Sequence, residues 1–249
     1  MDLSELRIGE PYAAGAGGRT VRATLPDGTP AVLKHADPHR EGEHEADALE
    51  RWDGNGAVRL LAREGWTLLL ERCEPGQPLS RFDGDALAVL IDLLPHLWVP
   101  AGEPFRPLAD EAAWWRSYLP GNWEAAGRPF ERRLLDAALD ALEALPPGQG
   151  EPVLVHQDLH GDNVLSAQRE PWLVIDPKPL LAEREFSLVP IIRSAELGHS
   201  RKQVFSRLDR LTAELGLDRE RTRLWTVGAT IAWAIDGPPT HVEVARWLC

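Results

Sequence analysis

The chain has 249 residues, 43% of them apolar and ten of them Trp, with a formal net charge of −12. That length and apolar content suit one large domain or two small lobes and exclude a disordered chain. The acidic balance disfavours nucleic acid and anionic membranes as partners, and two cysteines, Cys73 and Cys249, give no disulfide framework.

No apolar run approaches a membrane span, and the N-terminus lacks the basic start and apolar stretch of a signal peptide. A cytoplasmic protein is therefore expected. From Leu6 to about Glu71 the pattern reads as a small β region interrupted by one helix. Tyr12 to Ala14 leads into the glycine turn Gly15-Ala16-Gly17-Gly18, followed by a strand from Thr20 to Leu25. Asp27-Gly28 is a hairpin signal, and Ala31-Val32-Leu33-Lys34 returns as the next strand. Glu41 to Trp52 is predicted as a helix ending near Asp53-Gly54, with strands over Val58 to Ala62 and Trp66 to Leu70.

The Pro/Gly-rich stretch from Glu71 to Pro78 reads as a hinge between lobes. Beyond it the spacing predicts helices over Gly84 to Leu97, Asp110 to Leu119, Phe130 to Leu145, Arg201 to Gly216 and Asp218 to Ile235. A β-like stretch interrupts them and carries the segment from His156 to Leu165, followed by the strand Trp172 to Ile175 and by Asp176.

That segment holds the chemistry. Asp158 emerges from the strand Val153-Leu154-Val155, where a carboxylate can accept or orient the proton of an attacking alcohol. Asn163, five residues on, offers a neutral amide oxygen, and Asp176 an anionic one. Magnesium takes one or two carboxylates together with substrate phosphates, and this pair matches that demand. Loop Asp and Asn more often make turns and caps, yet the whole string is far more specific than any one member. His156 and His160 lack the further Cys/His spacing of a closed zinc site, so a metal-hydrolase reading is disfavoured. His156 is expected to brace the loop.

Of 27 basic residues only Lys34, Lys178 and Lys202 are lysines. A lysine kept inside an apolar strand needs an anion, because an unpaired buried ammonium is costly. Phosphates are one partner and a helix carboxylate is another. Glu45 shares the apolar stripe of Leu49 and Trp52, so it is preferred over Glu41, which reads as a surface acid like Glu43 and Glu50. The turn holding Gly15, Gly17 and Gly18 lies one hairpin before Lys34, where its backbone N–H groups could approach phosphates. It is not a Walker A sequence, since no Gly-Lys-Ser/Thr follows.

These residues resemble the aminoglycoside phosphotransferase family, which has a protein-kinase-like fold, and within it the streptomycin 6-kinase and hydroxyurea phosphotransferase branch. The likeness rests on Ala31 to Lys34, His44 to Leu49, Trp52 to Leu61, Leu68 to Arg72, His156 to Leu165 and Ile175-Asp176-Pro177-Lys178. It implies an α+β bilobal fold: an N-terminal nucleotide-binding lobe over 1–70, a hinge over 71–78 and a helical C-terminal lobe over 79–249. ATP would lie in the interlobe cleft, with Mg2+ on Asn163 and Asp176 and with Asp158 as the base. Lys34 would bind the α/β-phosphates and pair with Glu45, and the backbone from Glu71 to Cys73 would hydrogen-bond adenine. The acceptor would be a small hydroxylated molecule, first a cationic aminoglycoside such as streptomycin and otherwise hydroxyurea. His160, Glu183, Glu185 and Asp236 are its candidate contacts, and a monomer or weak dimer is expected.

The chain departs from the family pattern in two places. Gln157 stands where His-Gly-Asp has glycine, and Ser187 stands where an aspartate usually follows the metal-binding segment. The chain also starts close to its glycine turn, so the N-terminal structure common in this branch is expected to be absent. The departures motivate an alternative, a catalytically idle nucleotide-binding regulator. A protein kinase is disfavoured, since no Asp-Phe-Gly or Ala-Pro-Glu segment brackets an activation loop.

Overall fold

The computed structural model describes residues 3–12, 18–36, 38–148 and 150–249. Gly15 and Gly17 fall outside these residues. The N-terminal part is an antiparallel sheet of five strands, β1 (Arg7–Pro11), β2 (Gly18–Thr24), β3 (Pro30–Ala36), β4 (Leu60–Glu64) and β5 (Thr67–Glu71), in the order β1-β2-β3-β5-β4. Lys34 pairs in register with Thr20 on one side and Leu68 on the other, which puts it at the centre of the sheet.

Helix α1 (Glu45–Trp52) crosses one face of this sheet and starts four residues later than the sequence predicts. Residues 40–44 form turns instead. Gly42 has little helix propensity, and its carbonyl accepts the N–H of Glu45. Ala48, Leu49 and Trp52 are buried, and the helix ends where Asp53 turns left-handed (φ 47°) before Gly54.

The remainder is mostly helical. Its helices are α2 (Ala86–Leu97), α3 (Leu108–Ala125), α4 (Arg132–Ala144), α5 (Arg184–Ser187), α6 (Val189–Arg193), α7 (Arg201–Leu215), α8 (Arg219–Ala232) and α9 (Pro239–Leu248). Local chemistry sets several ends: Asp85, Ser200 and Asp218 cap α2, α7 and α8 through side-chain oxygens, and Gly216 closes α7 at φ 67°. Helix α3 runs well past the predicted Leu119 and through Pro120. Its buried stripe of Ala112, Trp115, Leu119 and Trp123 continues beyond the proline, so tertiary burial outweighs the lost N–H. Helix α9, not expected from the sequence, opens with Pro239 in its first turn and buries Val244, Ala245 and Leu248. At the centre, α8 lies so close to α4 that a Cβ on Gly228 would stand 3.2 Å from the Leu142 side chain.

Two short antiparallel ladders carry the loops of interest. Strand β6 (Val153–His156) pairs with β9 (Pro179–Ala182), and β7 (Val164–Ser166) pairs with β8 (Trp172–Val174). The first brings residues 156–158 beside 178–179; the second brings Asn163 beside Ile175 and Asp176.

The two parts share one apolar core, in which Ala48, Leu49, Trp52, Leu68 and Leu70 pack with Leu94, Leu154, Leu173 and Ile192. Polar links reinforce it. Trp52 Nε1 donates to the Leu97 carbonyl at 2.9 Å, and Val58 N–H donates to Val174 O at 3.0 Å. Arg169, in the loop between β7 and β8, donates to the Gly54 and Ala57 carbonyls and to both oxygens of Glu71. Removing that guanidinium strands half-buried acceptors at the end of β5. We expect Arg169→Ala to cost about 2 kcal/mol in urea unfolding, with Glu71→Gln costing less because an amide oxygen still accepts.

Candidate active site

A cleft of ≈ 560 Å³ opens between the sheet and the helical part. Its apolar walls are Val32, Val58 and Leu70 on one side and Leu165 and Ile175 on the other, flanked by the chain from Glu71 to Gly76. Flat apolar walls with a run of backbone along one edge suit a planar heterocycle. The Glu71 side chain is not free for a ligand: Arg169 and the Arg59 N–H hold its carboxylate and keep its pKa low despite burial. Only its backbone can serve at that edge. Burial pushes the Cys73 thiol up to about 12, which leaves it a neutral wall group.

Polar groups gather at the far end of the cleft. Lys34 Nζ lies 2.7 Å from each Glu45 oxygen and 2.5 Å from Asp176 Oδ1. Burial works against the ammonium, but the two carboxylates outweigh it and hold Lys34 above its ordinary pKa. Glu45 is almost wholly buried and is the helix carboxylate that meets Lys34; Glu41 does not. Asp176 reaches the lysine from a left-handed backbone (φ 52°), a conformation that aspartate tolerates better than most residues. That twist turns the carboxylate out of the β8 direction and into the cleft. Lys34 in turn holds its pKa below the usual range against burial.

The loop after β6 is braced from beneath by His156. Its Nδ1 accepts the Asp158 N–H at 3.1 Å, and its Nε2 faces the Ile175 carbonyl at 3.2 Å. Burial lowers the imidazole to about 4, so it stays neutral and presents one acceptor and one donor. Asn163 Nδ2 donates to the Asp158 carbonyl at 2.9 Å, which leaves its amide oxygen on the cleft side with Asp176. These two oxygen donors, one anionic and one neutral, fit a hard divalent cation that keeps other ligands for itself. No group of three or more His, Cys, Asp or Glu side chains able to cage a metal occurs among the described residues.

The Asp158 carboxylate is held by a residue that the sequence reading left without a role. Lys178 Nζ sits 2.5 Å from Asp158 Oδ2, brought there by the β6–β9 ladder. Burial raises the carboxylate's pKa, but Lys178 overrides it and keeps Asp158 ionised. Arg193 NH2 lies 3.8 Å from the other oxygen. Glu41, read from the sequence as a surface acid, is partly buried and within electrostatic reach of Lys178 and Asp158. Isolation in an Arg-rich sequence was the one signal that could have singled out Lys178. Nothing local marks Arg193.

One candidate acceptor contact, Glu183, needs correcting, and the structure places the others as follows. Glu183 is 3% exposed and turned into the helical core, where Arg221 Nε donates to it at 2.6 Å and Trp225 Nε1 also donates. Glu185 caps the start of α8 through the Asp218 N–H. His160 contacts Glu196 at 3.2 Å and Asn163 Nδ2 at 3.3 Å, so it stiffens the loop. Asp236 is exposed beyond α8 and near Tyr118. Both sequence departures are accommodated differently. Ser187 fills its buried slot by donating to Arg184 O at 2.6 Å and accepting from Trp98 Nε1 at 3.1 Å. The Gln157 side chain is equally buried, but neither amide atom has a hydrogen-bond partner among the described residues.

Comparison with known proteins agrees with this geometry. Residues 9–237 match the model of a family described as aminoglycoside/hydroxyurea antibiotic resistance kinase. A hydroxyurea phosphotransferase from Kitasatospora aureofaciens is 42% identical over 98% of this chain and 75% of its own length. A streptomycin 6-kinase from Streptomyces glaucescens is 37% identical over 94% of this chain and 80% of its own. Among solved structures, a choline kinase from Streptococcus pneumoniae superposes with a TM-score of 0.64 at 12% identity, covering 96% and 92% of the two chains. At that identity the likeness shows the protein-kinase-like fold alone. Nothing in these matches supports an idle member of the fold.

The Lys34–Glu45 contact is open to a double-mutant cycle. Lys34→Met and Glu45→Gln each break a buried pair and should cost about 3 kcal/mol in urea unfolding. The double variant should cost clearly less than their sum. Additive losses would mean that the two side chains do not depend on one another.

Proposed function

The chain belongs to the aminoglycoside/hydroxyurea antibiotic resistance kinase family and is an ATP-dependent small-molecule phosphotransferase; we propose that Asp158 receives the proton of the acceptor hydroxyl, and that hydroxyurea or a streptomycin-type aminoglycoside supplies that hydroxyl. The observation that carries this reading is the succession of charges from the cleft outward. Lys34, Asp176 and Asn163 line its polar end, and Asp158 follows, held ionised by Lys178.

In this reading the adenine lies between Val32, Leu70 and Ile175, with its edge on the backbone from Glu71 to Cys73. Lys34, fixed by Glu45, meets the inner phosphates. Asn163 and Asp176 are the two protein ligands suited to magnesium, which when bound neutralises phosphate charge. The acceptor oxygen then approaches the γ-phosphorus from the Asp158 side. Asp158 must be ionised for this, and the neighbouring ammonium keeps it so. Lys178 cannot become a competing base, since Asp158 and Glu41 hold its pKa up against burial. Transfer of this kind asks little of the protein beyond position and charge, and both come from groups already fixed by the fold.

Two substitutions separate the roles. Asp158→Ala should lower kcat by about 10²–10⁴ while KM for ATP stays near normal, since it removes the proton acceptor and its pairing with Lys178 but leaves Lys34, Asn163 and Asp176 in place. Asp176→Ala should abolish turnover and also remove the stabilisation that magnesium and ATP give in thermal melting. Coupled ADP release with hydroxyurea and streptomycin as acceptors checks the first. Near-normal turnover in either variant would defeat the assignment.

A further inference from the structure

Lys178 does more than hold Asp158, on the reading that this carboxylate receives the hydroxyl proton. Its backbone is fixed one step past the β6–β9 ladder, where Lys178 O accepts the Gln157 N–H at 3.0 Å. Its Nζ reaches Asp158 Oδ2 at 2.5 Å, the one hydrogen bond given to this ammonium among the described residues. An ammonium carries three N–H donors, so two are left over. The other carboxylate oxygen, Oδ1, has only Arg193 NH2 near it, at 3.8 Å, which is too long for a hydrogen bond. Asp158 therefore presents Oδ1 to an acceptor hydroxyl and Oδ2 to Lys178.

Transfer brings two anions together at this point. The γ-phosphate must come within one acceptor oxygen of the ionised Asp158, and charges that close repel strongly unless a cation joins them. Acids are plentiful here: Lys178 lies within electrostatic reach of Asp158, Glu41 and Asp176, and Arg193 within reach of Asp158, Glu41 and Glu196. The cations differ in how free they are. Lys34 is engaged by both Glu45 oxygens and by Asp176, and its side chain is 10% exposed. Arg193 is 6% exposed and lies 4.4 Å from the centre of the Trp233 ring. His160 contacts Glu196. The Lys178 side chain is 21% exposed and stands between the proton acceptor and Asp176.

We propose that Lys178 is a further catalytic residue, whose free N–H groups donate to the phosphoryl group in transit while the same ammonium holds Asp158. The acceptor oxygen loses its proton to Asp158 Oδ1 and forms the new bond to the γ-phosphorus. The bond from that phosphorus to the β,γ-bridging oxygen breaks, and its electron pair leaves with ADP. Lys178 keeps all its protons and its bond to Oδ2. It supplies positive charge to the outer phosphoryl oxygens, where charge is spread in the transition state.

The test separates this contact from bracing of Asp158 alone. Asp158→Asn, Lys178→Met and the double variant of the full chain are assayed by coupled ADP release with magnesium, ATP and either hydroxyurea or streptomycin. Lys178→Met should lower kcat by about 10²–10³ with little change in KM for ATP. In the Asp158→Asn background it should still lower kcat by about tenfold or more, whereas a lysine acting only through Asp158 would have no further effect there. A second readout needs no acceptor: ADP and magnesium with aluminium fluoride, a mimic of the phosphoryl group in transit, displacing a fluorescent ADP analogue. The wild type should bind ADP about 10²-fold more tightly with aluminium fluoride than without it. Asp158→Asn should keep that gain, and Lys178→Met should lose most of it while binding ADP alone normally. Lys178→Gln, which keeps a donor and loses the charge, should behave like Lys178→Met, and it decides if thermal melting shows Lys178→Met unfolded. A full gain in the Lys178 variants, no gain in the wild type, or no kinetic loss in the Asp158→Asn background would overturn the inference and leave Asp158 standing. Near-normal turnover of Asp158→Asn beside a lost gain in Lys178→Met would remove the Asp158 reading and leave the phosphoryl contact. With no turnover on either acceptor, that reading of the acceptor falls and the aluminium fluoride gain decides for Lys178.

Discussion

Lys34 is buried in the middle of a five-stranded sheet, and its charge is tolerable there because Glu45 and Asp176 both reach it. That requirement ties together three segments far apart in the chain: the third strand, the first turn of α1, and Asp176 two residues beyond β8. Helix α1 must start at Glu45 and lie flat on the sheet for the first contact. Asp176 must leave its strand in a left-handed turn for the second. The cleft is therefore bridged at one end by the Lys34–Asp176 ion pair, while a shared apolar core joins the two parts beside it.

The same principle of pairing governs the acids elsewhere. Asp158 faces Lys178, Glu71 faces Arg169, Glu183 faces Arg221, and Glu111, wholly buried, is met by Arg40 and Arg106. The formal charge of −12 is thus no guide to the field beside Asp158. Around Asp158 the cations Lys178 and Arg193 stand among the anions Glu41, Asp176 and Glu196.

His156 and Gln157 show how one loop combines rigidity with an unmet demand. Neutral His156 links both ends of the loop and leaves Asp158 little freedom to move. Beside it, Gln157 buries an amide that finds no partner among the described residues, a costly arrangement within two residues of that histidine. Its backbone N–H does bond to Lys178 O, so the β6–β9 ladder continues past the strand despite the side chain.

The sequence alone determined the α+β order of elements, the strand carrying Lys34, and the choice of Glu45 over Glu41. It also marked the spacing of Asp158, Asn163 and Asp176. Each is a local property, set by hydrophobic period, turn residues and distances along a few turns of chain. Helix α9 and the extension of α3 past Pro120 were hidden because their stability comes from burial against α4 and α8 and not from local propensity. Only the tertiary structure decided which acids face the cleft. Glu183, Glu185 and Glu41 look alike in sequence, yet one is buried against Arg221, one caps a helix and one approaches Lys178. The physical reason is that a side chain's charge is local, whereas its partner is supplied by a ladder or helix more than a hundred residues away, or by one twenty residues away across a turn. Lys34 with Asp176 is the first case, and Lys178 with Asp158 the second.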